Sequence, residues 1–303
     1  MNKKISPSKT INRPGWIRST ISLGGDFIKV KNLLEKSCVK SVCVEAQCPN
    51  KHTCWAAGHV TFMILGGTCT RGCRFCNVSY GQPDAPDPDE PERIANVTKQ
   101  LGLKYVVITS VTRDDLTDKG TNAFVNTVLA IKKRNPDTLV ELLVPDLDAN
   151  EALLDAIVHS GAEVIGHNIE IPEKLYSRVR PRSSYKESLN VLARLDKLCL
   201  RKNGIFTKSS MILGLGEEIK DVEDTLKDLK NCGVDIVYLG QYLSPSPEHW
   251  PVKKYYTPEE FDCLGRTAEK MRFKEVLKGP LVRSSFWAQK SYLKCCNIKQ
   301  IVL

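Results

Sequence analysis

Fold is constrained most by an alternation that begins at residue 61. TFMILGG (61–67), KYVVITS (104–110), TLVELLVP (138–145), EVIGHNIE (163–170), FTKSSMILG (206–214) and DIVYLGQY (235–242) are short runs rich in β-branched and aliphatic residues, and they read as buried strands. The stretches between them, EPERIANVTKQLG, NAFVNTVLAIKKRN, NEALLDAIVHSG, YKESLNVLARLDKL and IKDVEDTLKDLKNCG, carry apolar residues at the three- and four-residue spacing of helices. Strands joined by helical crossovers make a parallel sheet covered by helices. The expectation is an α/β chain: a partial (β/α)6 TIM-type barrel over 61–245, an N-terminal extension over 1–60 and a C-terminal extension over 246–303. Pro245, Pro247 and Pro251 mark the second junction, and Pro83, Pro86, Pro88 and Pro91 stiffen a loop near the first strand. In such folds the chemistry sits on the loops at the carboxyl ends of the strands.

CTRGCRFC (69–76) lies on the first of those loops and places Cys69, Cys73 and Cys76 in a C-x3-C-x2-C array. Structural zinc is almost always closed by four protein ligands, whereas an iron–sulfur cluster held by three thiolates leaves one iron open for another ligand. Zinc with a fourth ligand from elsewhere is the competing reading. Just upstream, CVEAQCPNKHTC (43–54) sets Cys43, Cys48 and Cys54 in a C-x4-C-x5-C array. A small zinc loop using His52 or His59 is open there too, and the neighbouring array favours iron. Six of the chain's 12 cysteines fall in these two segments, which points to thiolate ligation in a reducing compartment rather than to disulfide staples.

With Phe75 before its last cysteine, on the loop after the first strand, the array at 69–76 resembles the signature of the radical S-adenosylmethionine superfamily. That resemblance implies a [4Fe–4S] cluster whose open iron takes the amino and carboxylate groups of S-adenosylmethionine, and a 5′-deoxyadenosyl radical that removes hydrogen from an unactivated carbon. Both arrays together resemble the lipoyl synthase family. CVEAQCPN and CWAAGHVTFMILGGTCTRGCRFCNV carry the likeness, and TSVTRDDLTDKG, HNIE, YSRVRP, MILGLGE, GQYLSPS and GPLVRSS continue it in order across roughly residues 12 to 286. The family resemblance implies a second, auxiliary [4Fe–4S] cluster on Cys43, Cys48 and Cys54, with a serine of Arg283-Ser284-Ser285 as its fourth ligand: Ser285 is expected, with Ser284 as the alternative. The implied enzyme is a sulfurtransferase that inserts two sulfur atoms at C6 and C8 of an octanoyl-lysine, cleaving two S-adenosylmethionine molecules and consuming the auxiliary cluster. Implied partners are an octanoylated lipoyl domain or glycine-cleavage H-type carrier protein, an electron donor such as flavodoxin or ferredoxin, and an iron–sulfur carrier for cluster repair.

Further cofactor-binding residues are expected around the strand ends. Phe75 belongs to the motif. Asn168 and Glu170, at the end of the fourth strand, suit a ribose hydroxyl or an ammonium group. Gly214 sits in the glycine-rich turn of MILGLGE, which in the family lies near the methionine end of S-adenosylmethionine. Lys208 and Gln241 are placed at strand ends by the same reasoning. His167 reads as a packed core histidine, while Arg178 and Arg180 suit either a carboxylate or solvent. Cys199, Cys232 and Cys263, within helical patterns, read as small inert residues. Cys295 and Cys296 lie beyond the resemblance and have no assigned role. Where the family commonly has Arg-Ser-Ser-Tyr, this chain has Phe286 and Trp287, which keeps an aromatic wall and loses a hydroxyl.

Net charge is +9, but the lysines and arginines run from Lys3 to Lys299 with no basic block, so neither nucleic acid nor membrane is an expected partner. No apolar run of about eighteen residues suggests a span. The first 25 residues lack acidic side chains while carrying Lys3, Lys4, Lys9, Arg13 and Arg18, so the cytoplasm is expected first and an organelle matrix second. Other readings are a radical enzyme that inserts sulfur into a different aliphatic substrate, one whose second cluster only relays electrons, and a non-catalytic zinc module that binds nucleic acid.

Overall fold

The structure is a computed structural model that describes residues 12–19, 24–201 and 204–296; Lys3, Lys4, Pro7 and Lys9 of the leader reading lie outside the described residues. Strands in chain order are β1 (Thr61–Ile64), β2 (Thr68–Cys69), β3 (Ser79–Tyr80), β4 (Tyr105–Ser110), β5 (Leu139–Leu143), β6 (Val164–Gly166), β7 (Phe206–Leu213), β8 (Ile236–Gln241) and β9 (Glu275–Gly279). Helices are α1 (Gly25–Lys36), α2 (Val42–Glu45), α3 (Lys51–Ala56), α4 (Glu90–Leu101), α5 (Thr121–Arg134), α6 (Glu151–Val158), α7 (Glu173–Val179), α8 (Tyr185–Arg201), α9 (Ile219–Asn231), α10 (Pro258–Lys270) and α11 (Ala288–Cys295).

All six expected strands join one parallel sheet in the order β1-β4-β5-β6-β7-β8-β9. The seventh member, β9, was not anticipated: it lies in the C-terminal segment and pairs with β8 from Ile236–Glu275 to Gly240–Gly279. β1 and β9 are the two edges, so the partial barrel has a seam between its first and last strands. Helices cover the outside because each presents one apolar stripe; α5, for example, buries Phe124, Thr127, Val128 and Ile131. Caps fix their starts: Asn150 accepts from the Leu153 N–H at α6, and Thr257 and Glu260 form a reciprocal capping box at α10.

The inside of the barrel is polar at its amino end. Lys208 on β7 pairs with Glu141 on β5 at 2.7 Å and lies 4.0 Å from the ring centre of Tyr238 on β8. Tyr105 on β4 donates to the other Glu141 oxygen at 2.7 Å. This layer lies towards the amino end, and the cleft opens at the carboxyl ends.

Candidate active site

Loop 69–76 leaves the sheet after β1 and is tied to its surroundings at Thr70, Arg71 and Arg74. Thr70 N–H donates to Thr112 O at 3.1 Å, Arg74 N–H to Val179 O at 2.9 Å, and Trp250 N–H to Arg74 O at 2.8 Å. The strongest tie is Arg71. Its guanidinium bridges Asp114, beyond β4, at 2.8 and 3.0 Å and Asp146, beyond β5, through both terminal nitrogens, one of them at 2.8 Å. Burial alone tends to raise the Asp146 carboxyl, but hydrogen bonds and charge from Arg71 outweigh it and hold it below the usual carboxylate range. TSVTRDD and VPDLD thus serve to clamp the cysteine loop.

The loop thiols stand in electrostatic reach of one another. Burial pushes Cys76 up to about 12, with Cys73 and Cys69 adding to it. Burial also raises Cys73, against the opposing charge and hydrogen bond of Arg180. Thiols in such a place ionise only against a compensating cation, which is what iron supplies.

The second array is assembled against β1. Ser41 Oγ accepts from Cys43 N–H at 3.2 Å, starting α2, and donates to Thr61 O at 2.8 Å. Cys43 on α2, Cys48 in the following turn and Cys54 on α3 rim a cavity of ≈ 430 Å³, its opening to solvent included, whose wall also includes Thr61, Tyr105, Arg283 and Ser285. Burial, then the neighbouring Cys43, pushes Cys48 up to about 11 and Cys54 up to about 12. Ser285 reaches this cavity from the far end of the chain. The Asn50 amide donates to Leu281 O at 2.5 Å, and the Thr61 hydroxyl donates to Ser285 Oγ at 2.8 Å. Gly240 on β8 permits the approach, because a Cβ there would lie 2.1 Å from Val282 O.

At the carboxyl ends of the strands a larger cleft of ≈ 1420 Å³, its open mouth included, is lined by Phe75, Cys76, Asn168, Glu170, Ser210, Ile212, Arg283 and Ser284, among others. Cys43, Cys48 and Ser285 line both spaces. Asn168 Nδ2 donates to Glu170 at 3.0 Å, and burial raises the Glu170 carboxyl against the charge of Arg180. Among the described residues no three His, Cys, Asp or Glu side chains converge as they must around a single metal ion. A cluster asks something different, since its own irons and sulfides occupy the space between the thiolates. Three thiols and a serine around a cavity, and three thiols on one loop whose Cys76 lines the cleft, are donor sets that fit two iron–sulfur clusters.

Residues 63–240 match the radical SAM superfamily. A lipoyl synthase of Desulfotalea psychrophila is 44% identical over 284 residues, 94% of each chain, and one of Flavobacterium psychrophilum is 42% identical over 283 residues, 93% of this chain and 96% of that one. The chain belongs to the lipoyl synthase family. Methylornithine synthase superposes with a TM-score of 0.56 at 16% identity, covering 91% of this chain and 83% of that chain, a likeness of fold. Membership makes this lipoyl synthase relative an enzyme of the radical superfamily, and the reading as a nucleic-acid-binding zinc module falls.

Within that family frame, three of the expected cofactor residues have structural partners of their own. Lys208 shares the inner face of β7 with Ser210 and Ile212, which line the cleft, but Ser210 lies two residues further along, so Lys208 sits about 7 Å deeper and is spent on Glu141. Gln241 contributes to the cleft wall, yet its amide nitrogen lies 2.9–3.0 Å from the carbonyls of Leu213, Tyr242 and Lys254, and its oxygen accepts from Tyr256 N–H. Strand alternation explains this: with Tyr238 facing in, Gln241 faces out. Gly214 does not line the cleft. It has φ +104°, a Cβ there would lie 2.3 Å from Lys254 O, and the N–H groups of residues 214–216 all donate to the Glu217 carboxylate.

His167 is a core residue as expected, bonded to Val144 O and Ser188 Oγ, both at 3.0 Å. Arg180 is buried beside Cys73 and Glu170, with its guanidinium on Tyr176 and Ile169 O, while Arg178 stacks over Trp250. His59 lines the auxiliary cavity, whereas His52 stacks on Phe27 at 4.6 Å. Cys199 is buried, but Cys263 is exposed and so is no core residue. Phe286 lines the auxiliary cavity and Trp287 packs edge-on against His59, which keeps an aromatic wall there. Arg71, Asp114, Asp146 and Thr61 escaped the sequence reading altogether.

Proposed function

We propose that this enzyme inserts two sulfur atoms, at C6 and C8, into an octanoyl chain borne on a lysine of a lipoyl-carrier protein. The observation that carries the reading is the shared wall: Cys43, Cys48 and Ser285 border both the auxiliary cavity and the cleft, so a donor held by them faces the space that Phe75, Cys76 and Glu170 also line. When bound, the loop cluster with S-adenosylmethionine supplies a hydrogen-abstracting radical and the auxiliary cluster supplies sulfide.

In this reading Cys69, Cys73 and Cys76 hold one cluster, and Cys43, Cys48, Cys54 and Ser285 hold the other. Arg71 keeps the first loop in register with the β4 and β5 turns. Asn168 and Glu170 orient S-adenosylmethionine by hydrogen bonds at the cleft wall. Phe75, Ile212 and Leu243 offer apolar surface to the acyl chain. Partners in this scheme are an octanoylated lipoyl domain or H-type carrier, a low-potential donor such as flavodoxin or ferredoxin, and a carrier that rebuilds the second cluster. No helix among the described residues is long and apolar enough to cross a membrane. The cytoplasm is the proposed site of action.

The test is the mass of an octanoyl-lysyl peptide after anaerobic incubation with iron-reconstituted enzyme, S-adenosylmethionine and a strong reductant. A gain of two sulfurs is expected, with a further loss of two hydrogens once the dithiol product is oxidised to its cyclic disulfide in air. An unchanged peptide alongside accumulating 5′-deoxyadenosine would leave the radical site standing and remove the substrate assignment.

A further inference from the structure

One contact spans the seam of the barrel and belongs to none of the roles above. Thr61 opens β1, an edge strand, and Ser285 follows β9, the other edge; 224 residues separate them, and their hydroxyls meet at 2.8 Å. Thr61 is buried, 5% exposed, on the wall of the auxiliary cavity beside Cys43 and Cys54. Its carbonyl accepts from Ser41, the residue that caps the Cys43 helix, while its hydroxyl turns to Ser285. Thr61 therefore contacts both the segment that carries the thiols and the serine itself, alongside the Asn50 bond to Leu281.

We propose that Thr61 is a positioning residue for Ser285, holding the serine oxygen at the auxiliary cavity and donating a hydrogen bond to it once it binds iron. This rests on the reading of Ser285 as a cluster ligand. A serine oxygen bound to iron has lost its proton, so between the two hydroxyls only Thr61 is able to donate. A hydrogen bond to a charged oxygen is roughly twice as strong as one between neutral groups. The serine side chain is short and its segment crosses an unpaired seam, so without Thr61 the oxygen is free to rotate away. Valine has nearly the shape of threonine, which makes Thr61→Val a removal of the hydroxyl alone.

The experiment isolates the second cluster in a full-length chain in which Cys69, Cys73 and Cys76 are alanine, reconstituted with iron and sulfide, and follows the rate at which iron passes to a ferrous chelator. Thr61→Val is expected to release iron about tenfold faster than this parent, as fits loss of a hydrogen bond to a charged group. Ser285→Ala should be as fast or faster, and Thr61→Ser should match the parent. Parent-like release from Thr61→Val alongside fast release from Ser285→Ala overturns the proposal while leaving the ligand assignment intact. Parent-like release from Ser285→Ala removes the ligand assignment itself, and the proposal with it. Where the urea midpoint shows that Thr61→Val disturbs the fold, Thr61→Ser decides: parent-like release supports the proposal, and fast release with the hydroxyl present overturns it.

Discussion

Replacing Arg71 with methionine removes the cation that joins the cysteine loop to the turns after β4 and β5. Arg71 and Asp146 have side-chain exposures of 10% and 5%, so the substitution strands a carboxylate where water does not compensate it. Breaking a buried pair by removing one partner costs about 3–5 kcal/mol. Asp114 is 35% exposed, and solvent screens its share to under about 1 kcal/mol. The expected loss of about 3–5 kcal/mol is a large part of the roughly 5–15 kcal/mol that holds a folded protein together. Urea unfolding followed by far-ultraviolet circular dichroism at pH 7 reads it. A second substitution, Asp146→Asn in the Arg71→Met background, removes the stranded charge and should recover about 1–2 kcal/mol. The pH dependence has a definite sign. Asp146 is held below the usual carboxylate range in the parent, so the stability from this pair is present above about pH 4 and lost as pH falls below it. In the variant the stranded carboxyl takes its proton at higher pH, so the gap between parent and variant should narrow from pH 7 towards pH 4. A loss under about 1 kcal/mol at pH 7, or no relief from Asp146→Asn, would refute the clamp as the reason this loop is fixed.

Gly240→Ala should lower the urea midpoint by an amount equivalent to about 1–3 kcal/mol and cut the iron retained at the second site, because its Cβ meets Val282 O at 2.1 Å; full iron retention would count against a tight approach of the serine segment. Burial holds the His167 imidazole at about 4, below its ordinary 6.5, so the stability tied to its neutral form is full above pH 6.5 and lost as pH falls through 4. Between pH 8 and pH 5 that loss is about 2 kcal/mol, and in urea unfolding His167→Gln should lack it; equal slopes in parent and variant would exclude His167 as the source. Cys69→Ala should stop 5′-deoxyadenosine formation, whereas Cys48→Ala should keep at least part of it and lose sulfur insertion, both read by mass spectrometry. Normal insertion by Cys48→Ala would sink the donor role of the upstream array.

Six strands were legible because most are largely apolar runs at a length that suits a sheet buried on both faces, as Val106 and Ile108 in β4 illustrate with no exposure at all, while β7 was marked by Met211, Ile212 and Leu213 at its end. β9 was not, and its residues say why. Glu275, Val276, Leu277, Lys278 and Gly279 are all half-buried, and EVLKG lacks both the apolar run and a clear alternation. The short helices α2 and α3 left no periodic signal either. At four and six residues they are too short for a 3.6-residue repeat to show, and caps such as Ser41 on Cys43 set them in place.

The candidate site divides along the same line between local and distant information. Thiol spacing is a local property, so Cys43, Cys48, Cys54, Cys69, Cys73 and Cys76 could be read from the chain, and the serine entered only through the family resemblance of GPLVRSS. The structural partners of Lys208 and Gln241 were not legible, because a strand-end position read from sequence carries no phase of the strand. One residue of shift turns Gln241 to the outer face, and two residues of depth put Lys208 beside Glu141 rather than in the cleft. Arg71 and Thr61 escaped for a deeper reason. Arg71 finds its carboxylates 43 and 75 residues away and Thr61 finds its hydroxyl 224 residues away, and neither spacing leaves a pattern in a single sequence. An arginine between two motif cysteines reads as a solvated charge, and a threonine in a strand reads as a good β-former. Pairing β1 beside β4 and β5 turns the first into a clamp, and closing the sheet around its seam brings the second within reach of Ser285.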